Sequence, residues 1–76
     1  NRRAMAIRKY AVQVEETQTK FRQARKLIIN DPKYQNMANK SEAADLMQER
    51  LKELDAQQTK FLQSIQLAKA RALAGI

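Results

Sequence analysis

The sequence predicts an all-α chain: two long helices in an antiparallel helical hairpin of coiled-coil type, assembling into a helical oligomer. Three observations predict it. Strong helix formers (Ala, Gln, Leu, Lys, Arg, Glu) fill both arms, and the 76 residues include one Gly and one Pro. Apolar residues recur at alternating steps of three and four on both sides of that proline, the spacing of a helix-packing seam rather than of a strand. The one stretch with turn chemistry, opening on Asn30-Asp31-Pro32, lies between the arms. Proline has no amide donor and clashes with the preceding turn, so a helix arriving from the N-terminal side stops there. The expected organisation is a single unit, 1–76, with helix 2–29, turn 30–41 and helix 42–74. A kink in one continuous rod competes with it, and the doubled stop-and-start signals favour the hairpin.

In the first arm the seam runs Ile7, Tyr10, Val14, Phe21, Ala24 and Ile28, with Thr17 as its polar member. Glu16 and Lys20 stand at i,i+4 in the favourable order, and Arg25 and Lys26 suit the negative end of the helix dipole. In the turn, Asp31 either caps a short helical turn that starts at Pro32 or belongs to an irregular stretch. Tyr34 and Met37 are placed to fold back over the tip as a plug. Asn39 with Glu42 three residues later resembles a capping box, and Ser41 competes with Asn39 for the cap.

The second-arm seam is Ala44, Met47, Leu51, Leu54, Phe61 and Ile65, with Gln58 as a polar layer and Ala68 and Ala72 beyond. Gly75 supplies a stop. Folding the arms together pairs Ile28 with Ala44, Phe21 with Leu51, Tyr10 with Phe61 and Ile7 with Ile65. It also brings Lys20, Arg22, Arg25 and Lys26 beside Asp45, Glu49 and Glu53. One internal echo stands out: Gln18-Thr19-Lys20-Phe21 returns as Gln58-Thr59-Lys60-Phe61. Helix duplication and coincidence in a helix-forming composition both account for it.

A lone two-helix hairpin rarely offsets the entropy of ordering its residues. Leu27, Ile29, Leu46, Leu62, Leu67 and Leu73 fall off the seams and read as an oligomer face, packing on copies of the chain or on other helical proteins. The formal charge of +7 is uneven. Arg2, Arg3, Arg8, Lys9, Lys69 and Arg71 gather at the end away from the turn. They form a candidate anion-binding group for nucleic acid, an anionic lipid surface or an acidic protein, or else a solvated end that keeps the chain dissolved. Tyr10 is the only aromatic there, too few to stack bases.

Histidine and cysteine are absent, and the only glycine, Gly75, cannot form a phosphate-binding loop. The reading therefore assigns no enzyme activity, no cofactor and no metal. No apolar run is long enough for a transmembrane helix. Arg2 and Arg3 oppose the dipole of a helix N-terminus, which suggests either a piece of a longer chain or a frayed end.

At the two ends, Arg2-Arg3-Ala4-Met5-Ala6-Ile7-Arg8 and the stretch from Ser64-Ile65 through Ala70-Arg71-Ala72 to Gly75-Ile76 resemble the Ala- and Gln-rich internal core proteins of short-tailed phages. The resemblance implies a virion protein that forms a ring or tube around ejected DNA, with the six basic residues named above as its lining. The Asn30-Asp31-Pro32 turn is also similar in placement to that of type III secretion needle subunits, short hairpins that stack into a hollow filament. Both resemblances imply a hairpin that works by assembling.

Overall fold

A computed structural model describes all of residues 1–76. It is all-helical and hairpin-like, with α1 (Arg2–Ile29), a short α2 (Pro32–Gln35) and α3 (Lys40–Ala74), and it has no strand. Side-chain caps set the helix starts. Asn1 accepts from the Ala4 amide at 2.7 Å, and Asp31 from the Lys33 amide at 3.0 Å with Pro32 in the first helical position. Each satisfies an amide that the helix itself leaves unpaired. Asn39, not Ser41, caps α3 by accepting from the Glu42 amide at 3.0 Å, so that helix begins at Lys40, two residues ahead of the expected 42. Gly75 ends α3 in a right-handed conformation, and no residue of the chain has a positive φ.

The molecule is a narrow body measuring 58 × 15 × 10 Å, in which α3 packs against both α1 and α2. Two side-chain contacts fix how α1 lies along α3. The Phe21 and Phe61 rings meet at 6.4 Å in a tilted arrangement, and Arg25 Nη1 pairs with Asp55 Oδ1 at 3.1 Å. These contacts correct the expected layers, since Phe21 faces Phe61 rather than Leu51. The slide is about ten residues, or roughly 15 Å along the axis. Its cause lies in the turn. Tyr34 is buried, Met37 is half-buried, and Tyr34 shares a shallow depression with Ala43 and Met47. The first turns of α3 are thus covered by α2, and α1 packs farther along.

The slide changes which residues are covered. Ala43, not Ala44, is buried on α3, together with Leu54 and Ile65, and Thr17 is buried on α1. Ile7 is left 42% exposed, because in this register it lies opposite the last residues of α3 and little covers it. Phe61, expected in the seam, is 51% exposed. Two phenylalanines at one level overfill the usual 8–10 Å between helix axes, so one ring is displaced toward solvent. Tyr10, Val14, Phe21, Ala24, Ile28, Met47 and Leu51 are half-buried, as is Gln58. No buried side-chain polar atom lacks a hydrogen-bond partner. Asp45 and Glu49 make no ion pair. Neither do Glu16 and Lys20, since the ion pairs are Arg25–Asp55, Lys33–Asp31 and Arg50–Glu53.

Candidate functional site

The chain divides into two regions of different character. All five buried residues (Thr17, Tyr34, Ala43, Leu54 and Ile65) and all three ion pairs lie within residues 15–65. That region carries nine basic and eight acidic side chains, so it is nearly neutral. Residues 1–14 and 66–76 carry six basic side chains and no acid. They form the end of the body away from α2, and the positive charge of the chain is concentrated there.

Arg2, Arg3, Arg8, Lys9 and Arg71 are exposed, and Lys69 is half-buried. None has a carboxylate within ion-pair distance. Lys9 Nζ lies 5.4 Å from the centroid of the Tyr10 ring, an attraction worth about 0.5–1 kcal/mol at an exposed site. Uncompensated cations on the same segments repel one another, which an anionic surface would relieve. Apolar side chains stand among them. Met5 is 67% exposed and Val12 46%, and these two line one shallow depression with Arg8 and Lys9. The spacing explains the grouping, because positions 5, 8, 9 and 12 recur at i, i+3, i+4 and i+7 on one face of α1.

The off-seam residues do not form one face. Leu27, Ile29, Leu46 and Leu67 are exposed, while Leu62 and Leu73 are half-buried. At about 100° per residue, Leu27 and Ile29 point to opposite sides of α1. Leu62 and Leu73, eleven positions apart, share one stripe beside the seam, and Leu67 points away from it. The expectation of a single oligomer face is therefore corrected to uncovered apolar positions on several sides. Sequence reasoning also missed the exposure of Met5 and Val12, although their spacing beside Arg8 and Lys9 was available to it.

No group of three or more His, Cys, Asp or Glu side chains converges, and no helix is long and apolar enough to cross a membrane. No family model, curated protein or solved structure matches the chain.

Proposed function

We propose that this chain is a structural protein, an antiparallel coiled-coil hairpin that completes its apolar core by packing against copies of itself. One observation carries the proposal: the surface is too large for the mass. A folded chain of 8.8 kDa is expected to expose roughly 4,800 Å², whereas this one exposes 6020 Å². The surplus, about 1,200 Å², exceeds the roughly 800 Å² that each partner loses in a standard protein interface. Within the nearly neutral region, Leu27 at 74%, Phe61 at 51%, Ile29 at 43% and Leu46 at 41% exposure are the apolar side chains available for contacts with copies on more than one side.

The facing contacts support the antiparallel reading, since partners on α3 step backward as residues on α1 step forward. The echoed segments then meet where the Phe21 and Phe61 rings touch, an arrangement that duplication of one helix would produce. The resemblance of the chain ends to phage internal core proteins favours a ring or tube within a virion as the setting. A needle-like filament is a second way of stacking the same unit.

Analytical ultracentrifugation across a salt series tests the proposal. The expected result is a dimer or larger species that persists or strengthens at high salt, because salt weakens charge pairing and favours apolar burial. A folded, cooperatively melting monomer under those conditions overturns it.

A further inference from the structure

We infer that the face of α1 formed by Met5, Arg8, Lys9 and Val12, within the acid-free end of the body, docks on an anionic lipid surface. Three observations converge on it. Residues 1–14 and 66–76 hold six cationic side chains without one acidic side chain, and no ion pair occupies any of them. The same segments hold five of the nine exposed large apolar side chains: Met5, Ile7, Val12, Leu67 and Ile76. Met5 and Val12 are not scattered among the cations, since they share one depression with Arg8 and Lys9.

Charge alone fits any polyanion, and the apolar component decides between them. A phosphate backbone would neutralise the cations but leave Met5 and Val12 in water. The interface of a bilayer accepts both at once, with apolar side chains at the acyl boundary and cations at headgroup depth. Arg and Lys reach the headgroups along their own apolar stems, which adds to the buried area. The aromatic content argues the same way. Tyr10 is half-buried with Lys9 over its ring, so no stacking platform for bases faces outward. Since no helix is long and apolar enough to cross, the contact is peripheral. It uses residues outside the nearly neutral region and does not rest on the self-assembly proposed above.

Vesicle co-sedimentation of the 76-residue chain tests it, with pure phosphatidylcholine, phosphatidylcholine containing about one-third phosphatidylglycerol, and duplex DNA as the three probes. Two double variants, Arg8→Gln with Lys9→Gln and Met5→Gln with Val12→Gln, change exposed positions to a good helix former, and circular dichroism checks that helicity is retained. The chain is expected to pellet with the anionic vesicles and not with phosphatidylcholine alone. The charge variant should weaken that binding by roughly 30-fold, and the apolar variant by roughly tenfold. Absence of vesicle binding overturns the inference. So does binding that the apolar variant leaves unchanged, above all if DNA is held at least as tightly, because the face would then read phosphate and not a bilayer.

Discussion

Residues 15–65 and the segments that flank them, 1–14 and 66–76, share the two long helices α1 and α3, yet they differ in charge and in how much they bury. The central region has the buried side chains, the ion pairs and two capped helix starts, at Asp31 and Asn39. The flanking segments have regular helix, unpaired cations and exposed apolar side chains. The difference teaches where burial is concentrated and where the surface is left open. A helix can be extended past its core at little cost when its residues favour helix, and the extension is then free to meet something else.

The sharpest way to break this comparison is to truncate one leucine from each region. Leu54 is 5% exposed, so Leu54→Ala is expected to destabilise by about 2–4 kcal/mol. Leu67 is 52% exposed, so Leu67→Ala should stay within about 0.5 kcal/mol. Denaturant melts of the two variants check this, and equal losses would mean that the division is drawn in the wrong place. A smaller effect is expected at the start of α3, where Asn39→Ala removes the acceptor of the Glu42 amide and should cost about 1 kcal/mol, read as a lower midpoint with an unchanged slope. The smallest belongs to the Arg25–Asp55 pair, whose side chains are 47% and 58% exposed. Arg25→Ala should cost less than about 1 kcal/mol and progressively less as salt is added, because solvent and ions screen the pair. A salt-independent loss would show that Arg25 acts through packing.

Much of the secondary structure was legible in the residues. Proline after Asp31 and Asn39 ahead of Glu42 mark two helix starts, and the local chemistry of each acts without help from the rest of the chain. The register was not legible. Any two heptad seams of matching phase can be slid by whole turns without loss of pattern, so Phe21 against Leu51 and Phe21 against Phe61 look alike on paper. What decides between them is the turn: buried Tyr34 lies over the start of α3 beside Ala43 and Met47, Met37 is half-buried, and α1 packs farther along. The sequence showed these two residues as a plug without showing how far the plug would push the packing. The candidate surface was legible in its charge, through Arg8 and Lys9, and illegible in its apolar part. A methionine and a valine seven positions apart signal a stripe, and only coordinates reveal that nothing lies over it.

The hairpin-like bend of the chain is made without a single left-handed residue. Tight connections often require glycine at one point and thereby fix one letter of the sequence. Here the demands are chemical and local: a carboxylate or amide oxygen at positions 31 and 39, and an aromatic body at 34. With Pro32 starting α2 and Met37 half-buried, the exposed connector positions Lys33, Gln35 and Asn36 are expected to tolerate exchange without undoing the bend.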